Sequence, residues 1–167
     1  PKRLALKRAM DLFLSVVVGI AIFPILVLIA LAIKLESRGP VFFRQNRIGR
    51  GGQTIHILKF RTMVRNAAEV LQTYLRENPD LREEWEADQK LRNDPRITKV
   101  GAWLRKTSLD ELPQLWNVVW GEMSLVGPRP IVDDEIVKYG SAFASYTRVR
   151  PGMTGLWQVS GRNDLSY

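Results

Sequence analysis

Two adjacent carboxylates, Asp110 and Glu111, are the residues of this sequence best placed for nucleophilic, acid–base or metal chemistry. The cations Arg105 and Lys106 come shortly before them. A carboxylate pair among cations is typical of phosphoryl transfer with a divalent metal, because positive charge neutralises the phosphate. Surface salt bridges would give the same pattern, and residue types alone leave both interpretations open.

Further positive charge lies elsewhere in the chain. Arg129 stands between Pro128 and Pro130, which restrict the backbone and so orient the guanidinium. An arginine fork matches phosphate oxygens in a bidentate way. Lys59 and Arg61 add cations at the end of a predicted strand.

The spacing around the carboxylates also has a purely structural interpretation. Ser108 and Glu111 fit a helix capping box, and Pro113 suits a first helical turn. Asp110 would then lie near a helix N-terminus, where the helix dipole favours acidic side chains. The helix that this predicts from position 112 has a stop signal at Gly121.

An apolar run at residues 12–33 is long enough to anchor these charged residues at a membrane. About 20 residues span a bilayer, and a signal peptide is excluded because the run is too long and lacks a small-residue cleavage site. Pro24 kinks the predicted helix. Basic residues flank both ends, namely Lys2, Arg3, Lys7 and Arg8 before the run and Lys34 and Arg38 after it. Because cations favour the cytoplasmic side, we expect a bent helix that enters and leaves by one face, with a straight span as the alternative.

The rest of the chain predicts short mixed elements. Strands at 41–43 and Thr54–Phe60 flank the glycine-rich segment 49–52, which indicates a hairpin tip. A phosphate-binding loop is the alternative there, but its Gly-Lys-Ser/Thr ending is absent. Two amphipathic helices are expected at 66–77 and 80–92.

Composition restricts the chemistry further. The 167 residues include no cysteine, which excludes disulfides and thiolate metal sites. The only histidine, His56, lies in a strand-like run and is expected to be a packed or surface residue. The formal charge of +8 attracts nucleic acid, anionic lipid or phosphorylated small molecules without choosing among them.

Several motifs together resemble the bacterial polyprenyl-phosphate sugar-1-phosphate transferases, over almost the whole chain and in the family's order. The segment at 66–92 is similar to the subgroup that includes undecaprenyl-phosphate galactose and glucose phosphotransferases. The motifs are KFRTM at 59–63, DPRIT at 94–98, LRKTSLDELPQ at 104–114, GPRP at 127–130 and RPGMTGLWQ at 150–158.

The resemblance implies an α+β fold with a re-entrant membrane helix at residues 1–38 and a catalytic domain at residues 39–167 on the cytoplasmic face of the bacterial inner membrane. The family breaks this helix at a Ser-Pro pair, whereas this chain has Phe23-Pro24. Amphipathic helices would lie at the membrane interface. The aromatic residues suited to anchoring there, or to core packing, are Trp103, Trp116, Trp120 and Trp157. We also expect the chain to be part of a longer protein.

The implied reaction moves a hexose-1-phosphate from a UDP-hexose to polyprenyl (undecaprenyl) phosphate and releases UMP. Asp110 would be the covalent nucleophile, and Glu111 its partner in holding Mg²⁺ or managing protons. Such a reaction is a first membrane step in the assembly of exopolysaccharide, capsule or O-antigen.

The resemblance also implies binding roles. Arg105 would hold a phosphate, and Arg129, within the motif formed with Pro128 and Pro130, would contact the nucleotide side of the donor. Lys59 and Arg61 would lie near the site. Membrane lipids are expected partners and nucleic acid is not, while the sequence leaves a homodimer open. The rival functions are a membrane-anchored basic binding module without catalysis and a nucleotide-sugar hydrolase.

Overall fold

The computed structural model describes residues 2–88 and 91–156 and shows a mixed helix and strand architecture, which confirms the α+β prediction. Trp157 lies outside the described residues. The helices are α1 Lys2–Glu36, α2 Ala67–Glu77, α3 Leu81–Asp88, α4 Lys99–Thr107, α5 Gln114–Trp120, α6 Ile136–Tyr139 and α7 Phe143–Tyr146. The strands are β1 Phe42–Ile48, β2 Thr54–Phe60, β3 Ser124–Val126 and β4 Gly152–Thr154.

The predicted hairpin is confirmed, with β1 longer than expected. β1 pairs antiparallel with β2 from Phe42 opposite Phe60 to Ile48 opposite Thr54. The tip turns through Gly51 and Gly52, whose φ angles of 74° and 76° suit glycine. β3 and β4 form a separate parallel pair.

The long apolar helix is also confirmed. α1 has 35 residues and runs through Pro24, which corresponds to a length of about 52 Å. It is long and apolar enough to cross a membrane, by length and composition, and only 11% of its most apolar window is buried. A core helix of a soluble protein would be mostly covered, so the exposed apolar surface indicates association with a membrane. The re-entrant path stays a prediction.

Both ends of α1 are bound to the rest of the chain through polar contacts. Near the N-terminus, buried Asp11 accepts hydrogen bonds from the Ser124 hydroxyl at 2.8 Å and the Leu125 amide at 3.3 Å. At the other end, the Glu36 carboxylate accepts from the Lys99 amide at 2.7 Å, at the first turn of α4. An anion at a helix N-terminus is favourable, so Glu36 fixes α4 against α1.

Apolar packing forms three clusters, and each supports a different part of the site described below. The first joins α1, α4 and β2, the second packs β2 against α5, and the third holds the end of β1 against the segment before α6. Their buried members are Ile29, Ile33, Phe60 and Leu104 in the first, Ile55, Ile57, Val118 and Met123 in the second, and Ile48, Ile131 and Tyr146 in the third.

Asn117 of α5 completes the hydrogen bonding of β2 on the edge opposite β1. Its Oδ1 accepts from the Leu58 amide at 2.9 Å, and its Nδ2 donates to the His56 carbonyl at 2.8 Å. A fully buried amide therefore takes the place of a third strand. The His56 ring itself is exposed, as predicted for a surface histidine, and lies 2.8 Å from Asn46 Oδ1.

The two predicted amphipathic helices are present as α2 and α3. Three tryptophans that the sequence left open between core and interface are exposed by more than half: Trp103, Trp116 and Trp120. Trp116 and Trp120 stack with their ring centroids 6.1 Å apart. Their exposure favours the interfacial interpretation over core packing.

Candidate active site

The carboxylate pair lies in a tight turn between α4 and α5. α4 ends where Ser108 adopts a left-handed conformation with φ 58°, and a single 3-10 turn, Leu109–Glu111, carries both acids. The predicted capping box is therefore wrong: the Ser108 side chain makes no capping hydrogen bond, and α5 begins only at Gln114, after Pro113. The acids are consequently outside the first turn of α5.

Packing fixes this turn. Leu109 packs against the first cluster beside Phe60 and Leu104, which anchors the turn next to β2. α4 lies very close to the segment that follows β2. A Cβ added at Gly101 would lie only 2.1 Å from the Thr62 carbonyl oxygen. Glycine is thus required for α4 to bring Arg105, one turn later, to the same place.

The two acids have different surroundings. Lys59 Nζ lies 2.8 Å from Glu111 Oε1, in an ion pair of which both side chains are partly buried. Burial raises the pKa of Asp110 above its usual value. Lys59 and Arg105 lower the pKa of Asp110, whereas the neighbouring Glu111 raises it. Asp110 is therefore a desolvated carboxylate kept ionisable by cations, which suits a nucleophile better than a solvated surface acid does.

Arg105 is held by a hydroxyl that the sequence analysis did not single out. Its Nε donates to Thr62 Oγ1 at 2.9 Å, and Thr62 is buried. Arg105 as a whole residue is exposed. Partial desolvation of its guanidinium lowers the pKa of Arg105, whereas the negative charges of Asp110 and Asp94 raise it. With Nε occupied, the fork of the guanidinium is oriented beside Asp110.

Arg129 lies in a separate group of charged residues, beside Glu135. Its Nη1 donates to Glu135 Oε1 at 2.8 Å. The carbonyls of the two flanking prolines accept hydrogen bonds. The Pro128 carbonyl accepts from the Gly152 amide at 2.9 Å, and the Pro130 carbonyl accepts from Arg47 Nη1 at 3.3 Å. These bonds fix the backbone on both sides of Arg129.

Arg47 of β1, which the sequence analysis did not single out, lies in the same group as Arg129 and Glu135. Its Nη1 lies 3.8 Å from Glu135 Oε2, and 15% of its side chain is exposed. Burial and then Arg129 lower the pKa of Arg47, while Glu135, Tyr146 and Glu111 raise it. The one available signal was strand alternation, which places Arg47 and Lys59 on the same face of the hairpin.

Comparison with known proteins identifies the family. The model of the bacterial sugar transferase family matches residues 2–167. The chain belongs to the bacterial sugar transferases. It is 54% identical over 161 residues to the exopolysaccharide production protein ExoY of Rhizobium meliloti, a match covering 96% of this chain and 71% of ExoY.

Two further relatives carry more specific names. The undecaprenyl-phosphate galactose phosphotransferase of Salmonella typhimurium is 51% identical, over 97% of this chain and 34% of its own length. The UDP-glucose:undecaprenyl-phosphate glucose-1-phosphate transferase of Klebsiella pneumoniae is 44% identical, over 93% of this chain and 31% of its own length. The chain thus spans most of ExoY but about a third of these two relatives.

Arg61 of this sugar transferase is placed differently from the other predicted binding residues. Its guanidinium is bonded to the end of α1, with Nη2 2.7 Å from the Ser37 carbonyl and Nη1 3.1 Å from the Arg38 carbonyl. Arg61 is buried, and burial lowers its pKa. Through these hydrogen bonds, Arg61 caps the carbonyl groups that follow the C-terminal end of α1.

The described residues 2–88 and 91–156 contain no group of three or more acidic or histidine side chains that would hold a metal ion alone. Mg²⁺ in phosphoryl-transfer sites is commonly bound by one or two carboxylates together with substrate phosphates and water. Asp110 and Glu111 fit that second arrangement as two adjacent carboxylates, of which Glu111 is paired with Lys59 through Oε1.

Proposed function

We propose that this sugar transferase moves a hexose-1-phosphate from a UDP-hexose to polyprenyl phosphate, with UMP as the leaving product. The observation that carries the proposal is Asp110, a desolvated carboxylate between Lys59, Glu111 and Arg105. Family membership supports transfer of a sugar group, and the names of the Salmonella and Klebsiella relatives support undecaprenyl phosphate as the acceptor.

The reaction has two steps at one carboxylate. An oxygen of Asp110 forms a bond to the sugar-bearing phosphorus of the donor, the bond from that phosphorus to the UMP oxygen breaks, and UMP leaves with the electron pair. The phosphate of the lipid then attacks the same phosphorus and releases Asp110. Lys59 and Arg105, which already favour ionised Asp110, would stabilise the phosphoryl oxygens during both steps.

Asp110 and Glu111 would also hold Mg²⁺, together with the donor phosphates. Bound Mg²⁺ would supply neutralising charge to the diphosphate, which otherwise repels an attacking carboxylate. Lys59 keeps Glu111 in position through its 2.8 Å ion pair.

We further propose that both ends of α1 lie on the cytoplasmic side of the bacterial inner membrane. Asp11 near one end and Glu36 at the other contact the same folded domain, which a helix with its ends on opposite sides could not do. Cysteines placed at positions 3 and 38 should both react with a reagent supplied only from the cytoplasmic side. Labelling from opposite sides would restore a straight span.

The test of function measures UMP release from a panel of UDP-hexoses with and without polyprenyl phosphate. Without acceptor, the two-step scheme predicts a burst limited to one UMP per enzyme, with the phosphosugar mapped to an Asp110 peptide. Continuous UMP release without acceptor would indicate a hydrolase, and no release either with or without acceptor would leave a binding module.

The matched substitutions are Asp110→Asn and, as control, Asp80→Asn at the exposed turn between α2 and α3. Asp110→Asn should abolish transfer by several orders of magnitude, because an amide keeps the size but cannot be the nucleophile. Asp80→Asn should leave transfer unchanged. If Asp110→Asn retains wild-type turnover, the covalent scheme is wrong.

A further inference from the structure

Two arginines from distant parts of the chain meet at the C-terminal end of α5. Arg8, near the start of α1, donates from Nη1 to the Val118 carbonyl at 2.5 Å and from Nη2 to the Val119 carbonyl at 2.9 Å. Arg150 donates from Nε to the Gly121 carbonyl at 2.6 Å. α5 therefore ends against two guanidinium groups, one carried by the apolar helix α1 and the other by the segment before β4.

Both guanidinium groups reach the same small space beside Gly121. This residue has φ 89°, a left-handed conformation that favours glycine. A Cβ added there would lie 3.2 Å from Arg8 Nη2 and 4.0 Å from Arg150 Nη2. Terminal nitrogens of both arginines thus lie within 4.0 Å of one point. Two guanidinium groups at this spacing can bind a single phosphate group, because each can donate to a different phosphate oxygen.

Helix capping accounts for only part of this positive charge. A helix C-terminus carries about half a negative charge, which one cation more than offsets. Burial lowers the pKa of Arg150, and the charges of Arg8 and Arg50 lower it further. Asp11 raises this pKa, but its carboxylate is already paired with Lys7 Nζ at 3.1 Å. Within residues 2–88 and 91–156, neither Arg8 nor Arg150 forms an ion pair with a carboxylate. An added anion is therefore favoured here.

The position of this space relative to the membrane indicates the source of the anion. Arg8 lies four residues before the apolar run that begins at Leu12, or about 6 Å along the helix axis at the usual helical rise. Trp120, next to Gly121, is exposed by 62%, and exposed tryptophans are typical of the depth of lipid head groups. Phosphodiester groups are concentrated at that depth, and anionic lipids attract arginines there. A lipid phosphate is therefore favoured over a free one.

We propose that Arg8 and Arg150 together bind the phosphodiester group of an anionic phospholipid from the surrounding membrane. Each terminal guanidinium nitrogen carries two hydrogens, so Arg8 donates to the carbonyls of α5 and keeps N–H groups for the phosphate oxygens. The bound lipid would tie the start of α1 to the end of α5 and so stabilise the folded protein. The assignment does not depend on the proposed reaction.

The experiment follows the melting temperature of the protein in non-ionic detergent micelles during titration with three probes. They are short-chain phosphatidylglycerol, diacylglycerol with the same acyl chains, and inorganic phosphate. A ligand that binds the folded state raises the melting temperature, so each titration gives an affinity. The ratio of the phosphatidylglycerol and diacylglycerol affinities reports the contribution of the phosphate. Arg150→Gln should lower this ratio roughly 3- to 10-fold, as expected for a partly exposed charge-assisted hydrogen bond. The matched control is Arg148→Gln, which removes the same charge from an exposed arginine two residues away and should keep the wild-type ratio.

Each outcome decides the assignment. If Arg150→Gln lowers the melting temperature without lipid but keeps the affinity ratio, Arg150 only caps α5 and the assignment is wrong. An equal fall of the ratio in Arg148→Gln would mean that overall charge alone matters, and would overturn it as well. Inorganic phosphate that binds as tightly as phosphatidylglycerol would refute a lipid as the source. If Arg150→Gln does not fold, Arg150→Lys should still lower the ratio roughly twofold or more, because an ammonium keeps the charge but cannot replace the fork.

Discussion

Thr62 offers the sharpest test of how the site orients Arg105. Thr62→Val keeps the shape of the side chain but removes Oγ1, the atom that accepts the 2.9 Å hydrogen bond from Arg105 Nε. Without that bond, the Arg105 guanidinium is free to rotate away from Asp110. We expect donor kcat/KM to fall while the fold is retained, because the unpaired Nε of an exposed arginine can bond to water instead.

The size of the loss follows from the two partners. A hydrogen bond to a charged group contributes about 1.5–3 kcal/mol when both partners are buried. Thr62 is 7% exposed, but Arg105 is an exposed residue, so solvent reduces the figure to about 1–2 kcal/mol. That corresponds to a fall of roughly 5- to 30-fold in donor kcat/KM.

The assay compares initial rates of UMP release and the melting temperature for three variants. Thr62→Ser, which keeps the hydroxyl, should recover most of the activity that Thr62→Val loses. Thr107→Val, on α4, removes a hydroxyl that bonds only to backbone carbonyls of its own helix and should leave kcat/KM unchanged. If Thr62→Val and Thr62→Ser have the same kcat/KM, the hydroxyl does not position Arg105 and the reasoning fails.

Changes at four further positions test other parts of the fold and of the site. Arg129→Ala should weaken use of the donor strongly, with only partial rescue by Lys, as measured by donor KM; full activity would remove Arg129 from the site. Asn117→Leu should lower the free energy of unfolding by about 2–5 kcal/mol, because two backbone groups of β2 lose their partner; a loss below about 1 kcal/mol in denaturant titrations would contradict this. Burial raises the pKa of Asp110 in the folded protein above its value in the unfolded chain. Between these two pKa values the unfolded chain loses its proton first, so the free energy of unfolding falls as pH rises through this interval and stays lower above it. Asp110→Asn should therefore raise the melting temperature at neutral pH while abolishing transfer; an unchanged or lower value would refute this. In the wild type, kcat/KM should rise with pH through the pKa of Asp110, and Lys59→Met should shift this rise to higher pH.

Local patterns predicted much of the architecture. The apolar run predicted α1, alternation and glycines predicted the hairpin, and Gly121 was a correct stop for α5. Asp110 and Glu111 were singled out because they are adjacent in sequence and lie among neighbouring cations, and their catalytic role stays a prediction. In each case the signal is contained within a few residues and depends little on tertiary packing.

What the sequence could not predict depends on contacts between distant segments. Arg47 joins Arg129 only because Ile48 pairs with Ile131, 83 positions away, and nothing local indicates that pairing. Ser108 was assigned to a helix start because its spacing fits a capping box, whereas close packing of α4 on β2 makes it a left-handed helix end. Arg61 was grouped with Lys59 by proximity in sequence, yet it binds the end of α1.

The charges of the site argue that the two substrates bind in turn rather than together. Around the nucleophile, two cations face two carboxylates, and their charges sum to zero; they are Lys59 and Arg105 against Asp110 and Glu111. A UDP-hexose brings two negative charges to this group. When UMP leaves as a dianion, Asp110 carries the sugar phosphate as an acyl phosphate with one negative charge, and the sum returns to zero. The lipid phosphate, itself a dianion, then meets the same net charge that the donor met. Binding both substrates at once would bring four negative charges to a partly buried group, which is costly even when one Mg²⁺ offsets two of them. We therefore expect ping-pong kinetics, with parallel double-reciprocal lines when donor and acceptor are varied. Intersecting lines, together with no label on Asp110, would mean that transfer is direct and that Asp110 acts only as a base or a metal ligand.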